Sequence, residues 1–149
     1  LVGVADRPGV VAQIFGALAA ENVSVDMIIQ NAPVSEAVRA SSESRTDVTF
    51  TVAKTDLGRV KLVVDKLLGP IAAQGVRYDE DIVKVSIVGM GMRSHAGIAA
   101  RMFAILAAEN INIQAISTSE IKVSCLMATK YSELAVRALH DGFGLGNKP

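Results

Sequence analysis

The sequence predicts an α+β chain made of two copies of one small β-α-β-β-α module, each an antiparallel sheet with both helices on one face. Three observations carry this. Residues 9–30 and 97–118 are the same segment written twice, with nine of 22 aligned positions identical. Val48, Phe50 and Val52 alternate with Thr49 and Thr51, the period of a strand with one buried face. Val11, Ile14, Phe15 and Leu18 fall at helical spacing, the stripe of a helix packed on that face. A duplication at this spacing makes paired domains rather than a solenoid.

Leu1–Ala5 reads as a first strand, and Asp6-Arg7-Pro8-Gly9 as the loop into a helix. Pro8 suits the first turn, and Asp6 is placed to cap its free amides. Glu21-Asn22 ends this helix. Val23 to Ile29 is the second strand, and the alternating segment around 48–52 the third. Leu57–Leu68 is a second helix with Val60, Val63, Val64, Leu67 and Leu68 inward, closed by Gly69-Pro70. Val76–Tyr78 completes the module as a short fourth strand.

The second copy repeats the order: strand Ile82–Val88, loop Gly89–Ala96, helix Gly97–Ala108, strand Ile111–Ser117, a strand carrying Val123, Cys125 and Met127, and helix Tyr131–His140 with Leu134, Val136 and Leu139 among its apolar positions. Crossovers of this kind give a ferredoxin-like sandwich. Two domains are expected, at 1–80 and 81–149. The first carries an insertion, Ala32–Thr46, rich in Ser, Glu, Arg and Ala without apolar periodicity, expected to be a long mobile hairpin loop. The second lacks a last strand, since Gly144 to Pro149 is poor strand material. The chain starts at Leu1, within a strand and without Met, so it is expected to be part of something longer.

Fifteen basic residues balance fifteen acidic ones. That neutrality argues against a nucleic-acid partner and against an anionic membrane surface. Aromatics make up 4% of the chain, too few for an RNA-binding sheet face. No apolar run is long enough to span a bilayer. A single cysteine fits a reducing compartment, so the expected location is the cytoplasm. Cys125 alternates with Val123 and Met127 and reads as core rather than nucleophile. Only His95 and His140 are present, so no zinc cluster is expected. Asp79-Glu80-Asp81 reads as a solvated linker. No phosphate loop of the Walker type appears, and neither a catalytic residue, a metal nor a cofactor is expected.

The loop before each first helix suits an amino-acid ligand. A helix N-terminus offers free N–H groups to a carboxylate, and Gly9 lets the backbone approach closely. Asp6 can take the ammonium through a charge-assisted hydrogen bond worth roughly 1.5–3 kcal/mol. Gln30 or Asn31 stands on the adjacent strand to read a side chain. In the second copy Ser94, His95 and Gly97 occupy the matching loop, with Asn112 and Gln114 beside it.

These strings resemble a known family. Asp6-Arg7-Pro8-Gly9, Gln30-Asn31 and Thr46-Asp47-Val48-Thr49-Phe50 are similar to the first ACT domain of an aspartate kinase. Arg93-Ser94-His95-Ala96-Gly97 and Ile116-Ser117-Thr118-Ser119-Glu120 are similar to the second. The resemblance covers nearly the whole chain and implies two ACT domains paired side by side, with no catalytic site of their own. It implies feedback inhibition by threonine or lysine of an enzyme that phosphorylates L-aspartate with ATP. The implied partners are a kinase catalytic domain or subunit and a second copy of the chain.

The implied effector residues in the first domain are Asp6, Arg7, Pro8, Gly9, Val11, Asp26, Gln30, Asn31 and Thr49. In the second domain Ser94, His95, Ala96, Gly97, Ile98, Asn112, Ile113, Gln114, Ser117 and Thr118 are implied as effector or interface residues. The family often has Pro where Ala96 stands, which leaves that loop less rigid here. It also places the second module's last strand upstream of the first module, ahead of Leu1. The alternative reading is an ACT pair regulating a different enzyme of amino-acid biosynthesis.

Overall fold

The computed structural model describes residues 1–31, 44–89 and 95–144, and it divides into two units, Leu1–Tyr78 and Asp79–Pro149. Unit 1 runs β1 (Val4–Ala5), α1 (Val10–Ala20), β2 (Val25–Gln30), β3 (Arg45–Thr46), β4 (Val48–Val52), a 3₁₀ turn at Lys54–Asp56 and α2 (Leu57–Leu67). Unit 2 runs β5 (Ile82–Val88), α3 (His95–Ala108), β6 (Ala115–Thr118), β7 (Lys122–Ala128), a 3₁₀ turn at Thr129–Tyr131 and α4 (Ser132–Gly142). The duplicated order of elements, antiparallel strands and four helices, is the α+β architecture that the repeat predicts.

In unit 1, β1 pairs antiparallel with β3, and β2 pairs antiparallel with β4 across a bulge between Val25 and Ile28. Leu1 and Val48 exchange backbone hydrogen bonds at 2.8 and 3.0 Å. Val2 bridges Gly75 on the other side. In unit 2 the strand order is β5-β7-β6, all antiparallel.

Several predicted boundaries move. The first strand is only Val4–Ala5, because Gly3 turns the chain at φ +61° and gives its N–H to Asp47 Oδ1 at 2.9 Å. Val76–Tyr78 forms no strand. The pairing stops at the Gly75 bridge, and the Tyr78 ring leaves the sheet to lie under the Lys61 ammonium, 5.2 Å away. The strand expected at Ile111–Ser117 starts at Ala115, since the Ile111 N–H is spent on Leu106 O at 3.0 Å to close α3. The insertion Ala32–Thr46 lies outside the described residues as far as 43. Its last two residues are not loop but β3, held by pairing with β1 and by Arg45 Nη1 donating to Gly3 O at 2.8 Å.

Each unit buries its own core between helices and sheet. In unit 1, Val10, Ile14 and Leu18 of α1 meet Val60, Val64 and Leu67 of α2 over Val4 and Val48. Phe15 and Phe50 pack edge to face with ring centroids 5.4 Å apart, a contact worth about 0.5–1.5 kcal/mol beyond area burial. In unit 2, Met102 and Leu106 of α3 and Ala135 and Leu139 of α4 cover Val85, Val123, Cys125 and Met127. Two apolar residues expected inside are not: Val136 is 54% exposed and Val11 36%. Val136 directly follows the buried Ala135, and one residue on a helix turns a side chain about 100° away.

Both first helices stop in the same way. The Asn22 N–H meets Ala19 O and the Val23 N–H meets Leu18 O, each at 3.0 Å. In unit 2 Asn110 meets Ala107 O at 2.9 Å and Ile111 meets Leu106 O at 3.0 Å. Asn22 and Asn110 sit at φ 58° and 57°. These are Schellman closures with Asn at the left-handed position, and the two end residues drop into the cores.

Candidate functional site

The loop at the start of α1 is shaped by Gly9, which sits at φ 89° in the N-cap position. A Cβ there would meet nothing within 4 Å, so the requirement is conformational rather than steric. Gly9 O accepts the Gln13 N–H at 2.9 Å and Arg7 O accepts the Val10 N–H at 3.4 Å. The amides of Val11 and Ala12 have no acceptor among the described residues. They face outward with the partial positive charge of the helix terminus.

Contrary to the sequence expectation, Asp6 does not cap α1, and no other side chain does among the described residues. Its N–H donates to Ser44 O at 3.0 Å, and its carboxylate Oδ2 accepts the Ser44 hydroxyl at 3.4 Å. The turn Asp6–Gly9 intervenes between this carboxylate and the helix, and Ser44 claims it first. Arg7 reaches across 63 residues to donate from Nη2 to Pro70 O at 3.2 Å. Pro8 and Gly9 are exposed, as is Val11. Asp6, Arg7, Pro8, Gly9 and Val11 thus form one contiguous rim around the open end of α1.

Gln30, Asn31 and Thr49 are all exposed, but not on one surface. Gln30 lies opposite Val48 and Thr49 opposite Ile29 in the β2–β4 ladder. Cross-strand partners share a face, and Val48 belongs to the core under the helices. Gln30 is therefore on the helix side of the sheet, with the α1 loop, while Thr49 is on the reverse. Asn31 is held through its backbone, its N–H on Asp47 O at 3.3 Å and its carbonyl accepting the Thr46 hydroxyl. Asp26 is exposed within the β2 bulge.

In unit 2, Ser94 lies outside the described residues. His95 and Ala96 open α3, followed by Gly97 and the half-buried Ile98 in its first turn. Asn112, Ile113 and Gln114 run ahead of β6 rather than within it, with the Gln114 N–H on Leu126 O at 2.8 Å. Ser117 stands opposite Ser124 and Thr118 opposite Val123, so those two also point to opposite faces.

Ser44 and the carbonyl of Pro70 were not legible as parts of the rim. Ser44 sits in an aperiodic Ser/Glu/Arg stretch, and a backbone carbonyl leaves no residue-type signal.

Other chemistry finds little support. Cys125 is fully buried, and burial pushes its thiol up to about 11, so it stays a neutral core group at physiological pH. Among the described residues no three His, Cys, Asp or Glu side chains gather to hold a metal. Asp79, Glu80 and Asp81 are exposed, and Asp79 Oδ1 accepts the Asp81 N–H at 2.9 Å. No described helix is long and apolar enough to cross a membrane.

Comparison with known proteins identifies the fold. Residues 1–69 match an ACT domain family, and residues 85–143 match a second one. An aspartate kinase of Stutzerimonas stutzeri (strain A1501) is 52% identical over 143 residues, covering 96% of this chain and 33% of that protein. The chain thus spans about a third of the length of the curated relatives it matches. Among solved structures, one of aspartokinase alpha and beta subunits superposes with a TM-score of 0.83 at 47% identity, covering 97% of this chain and 89% of that one. The ligand-free regulatory subunit of aspartate kinase from Thermus thermophilus gives 0.84 at 37% identity, covering 96% and 89%. Escherichia coli aspartokinase III in complex with lysine and aspartate gives 0.60 at 26%, covering 91% and 27%. With two ACT domains in tandem and regulatory subunits matched over nearly their full length, the chain belongs to the aspartate kinase family as its ACT-domain regulatory region.

Proposed function

We propose that this region senses an end-product amino acid, lysine or threonine, and lowers the activity of the aspartate kinase it serves in the cytoplasm. The observation that carries the reading is the open end of α1. The amides of Val11 and Ala12, without an acceptor among the described residues, and the Asp6 carboxylate, held by Ser44, lie on either side of the Arg7–Gly9 turn, and together they supply the two opposite partners an amino-acid zwitterion requires. Gln30 on the same side of the sheet supplies an amide for the effector side chain. The lysine bound to Escherichia coli aspartokinase III favours the same ligand class.

Inhibition follows from a population shift: the effector binds one arrangement of the regulatory domains better than the other. A coupling of about 1–3 kcal/mol corresponds to roughly 5–150-fold inhibition. The partner surfaces of this reading are strand edges. Among the described residues β2 and β6 each pair on one side only. Each carries an exposed isoleucine, Ile28 and Ile116, at matching positions of the repeat. Unpaired edges of this kind favour a second copy alongside. β5 likewise pairs only with β7 among the described residues.

Isothermal calorimetry on the full chain with L-lysine and with L-threonine tests the proposal. Millimolar-to-micromolar binding is expected for at least one, weakened in Asp6→Ala and Gln30→Ala with thermal stability kept. No heat from either amino acid on folded, dimeric protein sinks the sensor reading. If feedback is instead exerted on another biosynthetic enzyme, binding persists but no aspartate kinase activity co-purifies.

A further inference from the structure

The guanidinium of Arg7 is committed to the protein itself. It donates to Pro70 O at 3.2 Å, in the turn that follows α2. That turn is already secured by two other contacts: the Ala5 N–H on Ile71 O at 3.2 Å and the Arg45 guanidinium on Ala72 O. The turn therefore does not need Arg7. The loop that carries Arg7 is held at Asp6 by Ser44, and from Arg7 to Gly9 the only side-chain hydrogen bond among the described residues is this one. Between Asp6 and Val10 the backbone passes through Pro8 and the left-handed Gly9, and within this stretch Arg7 makes the side-chain contact to α2's end. Arginine beside the C-terminal end of a helix is also favoured by the helix dipole.

We infer that Arg7 is a positioning residue for the effector site: it anchors the loop on the Pro70 carbonyl so that Asp6 and the Val11 and Ala12 amides are held in place before ligand arrives. It does not act as a ligand contact. This rests on the sensor reading above and adds to it how the site is preorganised. A loop ordered in advance forfeits less conformational entropy on binding. Because the acceptor is a backbone carbonyl at the surface, a point-charge donor can replace the planar fork, which bidentate carboxylate recognition would not tolerate.

The test compares Arg7→Lys and Arg7→Met in the full chain by calorimetry with L-lysine and L-threonine, and by amide hydrogen exchange without ligand. Arg7→Met is expected to bind about three- to tenfold more weakly, the equivalent of one surface hydrogen bond. Its unfolding midpoint falls by no more than the loss of that one bond, and exchange quickens at the Val10 and Gln13 amides. Arg7→Lys restores binding to within about twofold. A loss beyond about a hundredfold in Arg7→Met, not rescued by Lys, shows direct contact with the effector carboxylate and overturns the inference. Unchanged binding and unchanged exchange in Arg7→Met also overturn it. If the parent protein binds neither amino acid, the sensor reading falls, and the exchange arm still decides: faster Val10 and Gln13 amides keep Arg7 as the loop's anchor, and unchanged ones remove it.

Discussion

Among the described residues, three without a glycine's freedom adopt positive φ: Asn22, Ala72 and Asn110. The two asparagines are at ease there, because a short polar side chain tolerates the left-handed region. Ala72 is not. It occupies the equivalent closing position after α2, with its N–H on Gly69 O and the Ala73 N–H on Leu68 O, both at 3.0 Å. An L-residue with only a Cβ gains nothing to offset a left-handed cost of about 1–2 kcal/mol. Ala72→Gly is therefore expected to stabilise unit 1 by about 0.5–1 kcal/mol after the added unfolded-chain entropy is subtracted. A urea titration reads this directly, and a lower midpoint would contradict it. Gly3 is the opposite case. It sits at φ +61°, and a Cβ there would meet Gln74 Cγ at 2.7 Å, so Gly3→Ala is expected to lower the midpoint. The pair distinguishes a position that wants glycine and lacks it from one that has it by necessity.

At the scale of elements, arginines tie helix ends to the rest of the fold. Arg59 donates from Nη1 to Glu21 O at 3.0 Å at the end of α1, while its other nitrogen pairs with Asp56. Arg101 reaches Gly142 O at the end of α4 and lies 4.9 Å over the Phe143 ring. Each satisfies a carbonyl that the helix leaves unpaired and places a cation at the negative end of its dipole. Arg59→Met keeps the aliphatic stem but loses the donors, and is expected to cost about 1 kcal/mol in chemical denaturation. A change under a few tenths would mean water serves Glu21 as well. None of these ties was legible beforehand, because long-range side-chain-to-carbonyl bonds leave no periodic trace. What was legible had a period or a repeat. The stripe at Ile14 and Leu18 and the alternation at Val48 placed elements correctly. Val76–Tyr78 and Ile111–Gln114 were misread as strand because short apolar runs also serve to close turns. The Asp6 cap was misread because a cap depends on backbone angles that the residue type alone does not set. In the site, Asp6 and Gly9 were read from the residues and Arg7 and Pro8 from the resemblance, whereas the separation of Gln30 from Thr49 depended on ladder register.

Across the whole molecule the two units share a plan but not a core chemistry, and that difference has a consequence in pH. The position in β7 that faces α3 is Cys125, fully buried, its Sγ 4.0 Å from Met102 Sδ. Phe50 stands at the matching place in unit 1, opposite Ile28 as Cys125 is opposite Ile116. Burial raises the thiol from 9.0 to about 11. The folded state thus holds its proton more tightly than the unfolded chain does. The associated stability is fully present below about pH 9 and is lost as pH rises towards 11. The loss is on the order of 2 kcal/mol if the unfolded thiol titrates normally. Tyr78 in unit 1 is raised as well, by burial first and by Asp65 second, but at 39% exposed it is far less buried than Cys125 and its share is smaller. Denaturation followed from pH 8 to 11 is therefore expected to show an alkaline decline that is steeper in unit 2 than in unit 1. Cys125→Ala, weaker at neutral pH through the cavity it leaves, is expected to show a clearly shallower decline in unit 2 over the same range. An equal decline in that variant would place the alkaline titration elsewhere and remove the thiol from the account.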